Sequence, residues 1–261
     1  MAHGRRRGIA EGVRTGVRTG LTAAAGVLGG AAAYTLGTQV MAGAIRVGVI
    51  KRGPARPMVA LTFDDGPDPT YTPLILDTLA ASGVQATFFM VGRQVEAYPE
   101  LARAVAKAGH DLGNHTYGHR HLWTVPPRGA AEEVERGAAA VAEATGIHPR
   151  YFRPPWGMFN WTAYVRAGQL GEERILWSLR PEGWLRGVSA GEMAARVIRW
   201  AHPGAIVDLH DRGGHPTTPR ATWAALPGMI VGLRARGYSV VPLRTLLGEA
   251  AVTPIPSTGS S

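Results

Sequence analysis

Two histidines and two adjacent aspartates are the side chains in this sequence best suited to metal chemistry. His115 and His119 lie in the segment NHTYGHRH, and an i, i+4 spacing predicts a helical turn with both imidazoles on one face. Asp64 and Asp65 stand side by side in ALTFDDGPD. Either carboxylate could join the imidazoles as a third ligand and leave coordination positions open for water and substrate. The other carboxylate would then be free to act as a base.

The aspartates end an apolar, β-prone run at residues 59–63 and are followed by Gly66 and Pro67. This pattern predicts a buried strand that runs into a tight turn. Adjacent carboxylates repel each other, and the ends of strands are where α/β folds hold their ligands. The alternative is an Asp-Gly-Pro turn with solvated acids.

Two further polar residues follow apolar stretches. Arg153 precedes PPWG, where two prolines stiffen the turn, and its guanidinium could hold a carboxylate by a bidentate contact. His210 ends the apolar run AIVDL, and a histidine at the end of a buried strand can serve as a general acid if a neighbour tunes its pKa. The alternatives are a surface turn with an aromatic anchor and a histidine that caps the sheet.

The elements that must position these residues alternate between strand and helix, which indicates parallel strands joined by right-handed crossovers. The number of strands suggests an incomplete barrel, and residues 46–57 are interpreted as a linker into it. Strands are predicted at 59–63, 86–91, 111–114, 151–152, 175–179, 205–209 and 239–242, and helices at 73–82, 97–109, 130–144, 190–201, 222–237 and 243–250.

The N-terminal region differs from the rest of the chain. The first 18 residues hold five arginines, and residues 19–45 carry no charged side chain. This order predicts a membrane anchor or export signal with the basic head on the cytoplasmic side. Because the uncharged segment is mostly Ala and Gly, the alternative is a soluble or peripheral helix. The Pro/Ser/Gly-rich tail at 251–261 is predicted to be disordered.

Composition sets broad limits on the function. With no cysteine among 261 residues, disulfides and thiolate metal sites are excluded. The formal net charge of +9 would suit an anionic partner such as a nucleic acid, a membrane surface or an acidic cell-wall polymer. No nucleic-acid motif or basic stripe interleaved with aromatics is present, so we expect no nucleic-acid partner. We expect a monomer.

The segments TFDDGP, HTYGH, RPPWG and LHD, in this order, resemble the polysaccharide deacetylase family, also called the NodB-homology domain or carbohydrate esterase family 4. The closing GYSVVPLRTLL is similar to that family's final strand and helix. The resemblance covers about residues 57–247 and implies a distorted, incomplete (β/α)7 barrel of the α/β class. We place the domain at 57–248, after an N-terminal segment at 1–50.

The resemblance implies roles for the reactive residues. Asp64 would be the general base that activates water, and His210 would protonate the leaving amine. Asp65, His115 and His119 would hold a divalent metal, usually zinc, with cobalt, nickel or manganese as alternatives.

The resemblance also implies a substrate-facing shell. Arg153 would orient Asp64, and the backbone N–H of Trp156 would help to form the oxyanion hole. Pro155, Trp184 and Leu209 occupy further substrate-facing positions of the family's motifs.

Two motifs depart from the family pattern. In WSLRPEGW, Arg180 and Gly183 stand where the family has acids, so the usual partner of the orienting arginine is missing and Glu182 is the candidate replacement. Asp208 stands where a leucine normally lines the acetyl-methyl pocket, and an ionised carboxylate there would disfavour a methyl group. Asp208 and Asp211 are further candidates for tuning the general acid.

The expected function is a metal-dependent hydrolase that removes N-acetyl groups from an amino-sugar polysaccharide, either peptidoglycan or a chitin-like glycan, outside the cytoplasm. One alternative is an O-acetyl esterase on xylan or another acetylated glycan. The other is an inactive carbohydrate-binding relative, against which the intact set of reactive residues argues.

Overall fold

The computed structural model describes residues 48–183 and 187–248, together with residues 25, 26, 28–30, 32–34, 36, 37 and 40. The basic head at 1–18, most of the uncharged segment at 19–45, Trp184 and the tail at 251–261 lie outside the described residues. Within the described part, no helix has both the length and the hydropathy needed to cross a membrane.

The described residues form one sheet of eight strands that are all parallel. Its order is β1-β6-β5-β4-β3-β2-β7, and β8 pairs with the first half of β2 while β3 pairs with the second half. This sheet agrees with the predicted incomplete α/β barrel. The strands are β1 (Val49–Ile50), β2 (Met58–Asp64), β3 (Thr87–Met90), β4 (Asp111–Asn114), β5 (Tyr151–Phe152), β6 (Glu173–Ile175), β7 (Ala205–His210) and β8 (Ser239–Val241).

In the described residues, seven α-helices connect these strands and an eighth follows β8. Because side chains alternate along a strand, β2 turns Val59, Leu61 and Phe63 outward to the helices, whereas Ala60 packs with Phe89 in a separate cluster inside the sheet. The helices are α1 (Tyr71–Ala81), α2 (Gly92–Ala97), α3 (Pro99–Lys107), α4 (Pro127–Thr145), α5 (Trp161–Gln169), α6 (Ala190–Trp200), α7 (Thr218–Ala235) and α8 (Leu243–Leu247).

The ends of the fold differ from the prediction. β1 precedes the predicted domain start at residue 57, pairs with β6 and buries Val49, so the segment interpreted as a linker contributes a strand. In the region predicted as a strand at 175–179, β6 ends at Ile175, and Leu179 makes only an isolated bridge to Val207. Leu179 still makes backbone hydrogen bonds with Ile206 and Asp208 of β7, and residues 180–183 then continue to the edge of the site.

Two helices were not predicted from the sequence. α5 begins after Asn160, whose side chain accepts a hydrogen bond from the Ala163 N–H and so caps the helix. α2 is too short to show a clear apolar period. The predicted helix at 97–109 begins instead at Pro99, which suits the first helical turn, and Gly109 follows its end with a positive φ of 77°.

Gly137 allows α4 to pack closely against the loop that follows β4. A Cβ at this position would lie 2.7 Å from the carbonyl carbon of Thr116. Gly137→Ala should therefore lower the free energy of unfolding by about 1–3 kcal/mol through overpacking. Gly228 in α7 is the matched control, because a Cβ there would meet only the Ala194 Cβ at 3.8 Å. Gly228→Ala should raise stability by up to about 1 kcal/mol. Urea unfolding of both variants tests the contrast, and equal effects would contradict it.

Candidate metal and catalytic site

The parallel strands bring the reactive residues to one edge of the sheet. In the register of β2 and β7, Asp64 lies opposite His210. In the register of β4 and β5, Asn114 lies opposite Phe152, so that His115 and Arg153 follow at the same level. Residues that are far apart in the sequence therefore meet at the carboxyl ends of the strands.

A loop, not the predicted helical turn, brings the two histidines together. Thr116 and His119 have positive φ angles of 66° and 53°, so the chain curls through left-handed conformations. The side chains of Asn114 and Thr116 accept hydrogen bonds from the N–H groups of Thr116 and His119 at 3.0 and 3.2 Å. The two imidazoles therefore lie together as expected, but the helical turn predicted from the i, i+4 spacing is wrong.

Asp65 is the carboxylate that joins the two imidazoles. Its Oδ1 lies 2.9 Å from His119 Nε2 and 3.3 Å from His115 Nε2, whereas Asp64 Oδ2 is 3.9 Å from His115 Nε2. Burial acts to raise the pKa of Asp65, but hydrogen bonds from His115 and His119 outweigh it and hold the pKa well below its usual value. The sequence had left the choice between the two acids open, and the geometry selects Asp65.

The three donors fit a divalent metal ion such as zinc. The ligand atoms of Asp65, His115 and His119 converge on one point at the cavity edge. His115 Nδ1 donates to the Arg153 carbonyl oxygen at 2.7 Å, which leaves Nε2 directed at the other ligands. A backbone hydrogen bond that fixes the tautomer in this way is typical of metal-binding histidines.

Arg153 holds Asp64 in place. The arginine is fully buried, and its Nη1 donates to Asp64 Oδ1 and to Thr62 Oγ1, both at 2.7 Å. Its guanidinium also lies 4.0 Å from the centre of the Phe89 ring. Thr62 was missed from the sequence, although strand alternation places it on the same inner face as Asp64.

Asp208 supplies the second acid for Arg153. Its Oδ1 lies 3.5 Å from Arg153 Nη1, and its Oδ2 lies 3.1 Å from Arg180 Nε. Burial and then the nearby Asp64 raise the pKa of Asp208 to about 7, against the opposing influence of His210 and the two arginines. Arg180 and Asp208, one residue from each departing motif, thus contact each other.

Glu182 contacts the histidine and not the arginine. Its Oε2 lies 2.8 Å from His210 Nδ1. Burial acts to lower the pKa of His210, but the Glu182 carboxylate, with Asp208 and Asp65 behind it, holds that pKa well above its usual value. The expectation that Glu182 replaces the partner of Arg153 is wrong, because Asp208 occupies that position.

Asp64, Asp208 and His210 form a second group of side chains that are close enough to hold a metal. Arg153 already lies within hydrogen-bonding distance of Asp64 and near Asp208. A guanidinium therefore provides the positive charge at this second group, and the first group remains the candidate metal centre.

Two predicted residues lie away from the reactive atoms. Leu209 packs against the helices on the outer face of β7 and does not line the cavity, because strand alternation turns it away from His210. Asp211 is fully buried and accepts a hydrogen bond from the Thr72 hydroxyl. Burial raises its pKa to about 7 even though Thr72 opposes the shift. Asp211 thus connects the chain after β7 to the first turn of α1, and it does not line the cavity.

The cavity has a volume of about 550 Å³. Trp156 lies at its edge with a φ of 56°, and the preceding Pro155 is buried. Trp177 and Arg93 also line it and were not predicted: Arg93 lies outside the motifs, and Trp177 opens the segment WSLRPEGW, in which only the acids and Trp184 were considered. The lining residues are Asp64, Asp65, Val91, Arg93, Gln94, His115, His119, Trp156, Trp177, Arg180, Glu182, Gly183, His210, Arg212, Gly213, Gly214, His215, Pro216 and Thr218.

Comparisons with known proteins identify the family of the chain. Residues 51–174 match the family model described as polysaccharide deacetylase. A peptidoglycan-N-acetylglucosamine deacetylase of Bacillus cereus is 37% identical over 193 residues, which are 73% of this chain and 88% of the relative. The chain belongs to the polysaccharide deacetylase family. A chitooligosaccharide deacetylase of Bradyrhizobium is 36% identical over 200 residues, which are 72% of this chain and 90% of that protein.

Solved structures of polysaccharide deacetylases show both active and inactive relatives. A peptidoglycan N-acetylglucosamine deacetylase in complex with 4-naphthalen-1-yl-N-oxidanyl-benzamide superposes with a TM-score of 0.74 at 30% identity, over 81% of this chain and 98% of that one. A Bacillus anthracis protein described as a CE4 family pseudoenzyme gives a TM-score of 0.70 at 32% identity, over 78% and 70% of the two chains. Membership of the family therefore does not by itself establish activity.

The contact between Arg180 and Asp208 should be energetically coupled. Arg180→Leu and Asp208→Leu should each lower the free energy of unfolding by about 1–3 kcal/mol, because each leaves a buried charged group short of a partner. The double variant should lose at least about 1 kcal/mol less than the sum of the two. Urea unfolding of the four proteins measures this coupling.

The exposed pair Arg128 and Glu132, joined at 3.1 Å along α4, is the matched control. Its coupling should not exceed about 0.5 kcal/mol, because solvent screens both charges. Additive effects of the Arg180 and Asp208 substitutions, within about 0.5 kcal/mol, would show that the two charges do not support each other.

Proposed function

We propose that this protein is a metal-dependent deacetylase that removes N-acetyl groups from an amino-sugar polysaccharide, with peptidoglycan as the first candidate substrate and a chitin-like glycan as the second. The observation that carries the proposal is the position of three metal-ligating side chains beside an acid held by Arg153 and a histidine held by Glu182. The relatives named as peptidoglycan and chitooligosaccharide deacetylases support the substrate class.

The proposed metal is zinc, with cobalt, nickel or manganese as alternatives, and Asp65, His115 and His119 would hold it. Two imidazoles and one carboxylate make up a donor set that zinc accepts in catalytic sites. When bound, the ion would lower the pKa of water and polarise the acetyl carbonyl.

Asp64 is the proposed general base. Arg153 contacts its Oδ1, which leaves Oδ2 on the side of His115, at 3.9 Å from Nε2. In this position Asp64 could accept a proton from the water that attacks the carbonyl carbon. The backbone N–H of Trp156 is the proposed donor to the carbonyl oxygen, on which negative charge develops.

His210 is the proposed general acid. Burial acts to lower its pKa, but the Glu182 carboxylate holds that pKa well above its usual value, which favours the protonated imidazole. When the carbon–nitrogen bond breaks, His210 would give its proton to the leaving nitrogen, and the products would be acetate and a free amino sugar.

The proposed location of the catalytic domain is outside the cytoplasm, attached through or released from the N-terminal segment. The support is the basic head followed by an uncharged stretch at 19–45, together with relatives that are named for peptidoglycan. Fractionation of cells that produce the full chain tests this proposal, and a full-length cytosolic protein would contradict it.

An inactive carbohydrate-binding protein is the second candidate function. The structural match to a pseudoenzyme is nearly as good as the match to a peptidoglycan deacetylase. The experiment that separates the two candidates is acetate release from chitooligosaccharides, peptidoglycan and acetylated xylan, with and without added metal.

Substitution of one ligand and of the base should separate metal binding from turnover. Asp64→Asn should retain one metal ion per chain but lose nearly all acetate release, because the three ligands remain and the base is lost. His119→Ala should lose the metal as well as the activity. Metal content and acetate release are measured on the same samples. A fully loaded His119→Ala protein would contradict the ligand assignment.

Removal of the carboxylate beside His210 should shift the pH dependence of the reaction. In Glu182→Gln, burial would no longer be offset by that charge, so the pKa of His210 should fall. A general acid is lost as pH rises through its pKa, and the alkaline limb of the kcat/KM profile should therefore move to lower pH. Metal content should stay at the wild-type level, and an unmoved alkaline limb would contradict the role of Glu182.

A further inference from the structure

A line of aromatic side chains leads from the metal centre to the protein surface. Trp156 lines the cavity, and the centre of its ring lies 4.6 Å from that of His119. The Trp156 ring also stacks against His121, with 5.2 Å between ring centres and 28° between planes. Trp123 then meets His121 edge to face at 5.9 Å. We call Trp156, His121 and Trp123 the aromatic row.

The outer end of the aromatic row is fixed in position. The Trp123 Nε1 donates a hydrogen bond to the Phe159 carbonyl oxygen at 3.0 Å. The neighbouring Leu122 is fully buried, and its carbonyl oxygen accepts a hydrogen bond from Asn160 Nδ2 at 2.8 Å. These contacts join the loop that carries His119 to the turn that carries Trp156. The loop thus buries Leu122 and presents the indole of Trp123 at the surface.

Trp123 presents part of its indole to solvent. Its exposed fraction is 37%, although it lies beside the fully buried Leu122. A rigid indole offers a large apolar face at a low cost in conformational entropy, and exposed apolar surface of this kind marks binding sites. The apolar C–H face of a pyranose ring is a suitable ligand for it.

We propose that the aromatic row is a subsite for the third or a later sugar ring of the glycan, with Trp123 as its outer platform. The inference rests on the proposed function, which supplies the identity of the glycan. Trp156, the inner member of the row, lines the cavity of that site. Sugars at the metal centre would be held by the cavity itself. Only a chain long enough to extend past Trp156 would reach Trp123, so Trp123 would favour long glycans over short ones.

The test measures the binding of N-acetylglucosamine oligomers to metal-loaded Asp64→Asn protein by calorimetry. In this background, Trp123→Ala should weaken binding of the pentamer about three- to tenfold. Binding of the dimer should change by less than about twofold, because the dimer does not reach the platform. Trp123→Phe, which retains an aromatic face, should restore most of the loss. This rescue, with circular dichroism of each variant, separates a lost contact from a lost fold.

The matched control is Trp200→Ala, because Trp200 is 47% exposed on α6 and makes none of the ring contacts of the aromatic row. An equal loss for dimer and pentamer, an effect of Trp200→Ala as large as that of Trp123→Ala, or no binding of any oligomer would overturn the subsite. Acetate release by the unsubstituted enzyme is measured separately. An inert protein whose pentamer binding depends on Trp123 would retain the subsite and reject the deacetylase proposal.

Discussion

The buried guanidinium of Arg153 is the interaction on which the site depends. Its side chain donates to Thr62 and Asp64 of β2, lies 3.5 Å from Asp208 of β7 and approaches the Leu176 carbonyl oxygen after β6 at 3.4 Å. Its backbone carbonyl accepts the hydrogen bond of His115, and its N–H donates to the Asn114 carbonyl oxygen at 3.0 Å. One residue therefore sets the orientation of the proposed base and the tautomer of a proposed metal ligand. A shift of Arg153 would alter both the orientation of Asp64 and the tautomer of His115, because its side chain and backbone contact both residues.

Such a concentration of buried acids requires compensating positive charge. Asp64 and Asp208 are almost completely buried on neighbouring strands and would repel each other without a cation between them. Arg153 lies near both carboxylates, and Arg180 Nε lies 3.1 Å from Asp208 Oδ2. The Glu182 carboxylate likewise lies 2.8 Å from His210 Nδ1. Charges of opposite sign thus alternate through the site, which keeps each one partnered away from water.

The sequence was sufficient to predict the strand-and-helix alternation and the residues at the strand ends, because both depend on short patterns. The apolar run before Asp64 and the run before His210 each predicted a strand whose end carries a polar group. The helical interpretation of His115 and His119 failed because left-handed φ angles at Thr116 and His119 depend on hydrogen bonds within the folded loop. The partner of Arg153 could not be deduced either, since nothing in the local sequence tells whether Asp208 or Glu182 faces it.

The contact between Arg180 and Asp208 changes how the departure at position 208 is to be understood. A carboxylate that lined the pocket would disfavour an acetyl methyl group, but Asp208 is fully buried and does not line the cavity. Its charge is directed at Arg153 and Arg180. Arg180 is the residue of this pair that lines the cavity, and its guanidinium lies 4.9 Å from the centre of the Trp177 ring. Asp208 can therefore reach the cavity indirectly, through Arg180 against that indole and through Arg153 beside Asp64. The arginine and the aspartate form one functional unit, and a change at position 208 alone would not recreate an apolar pocket.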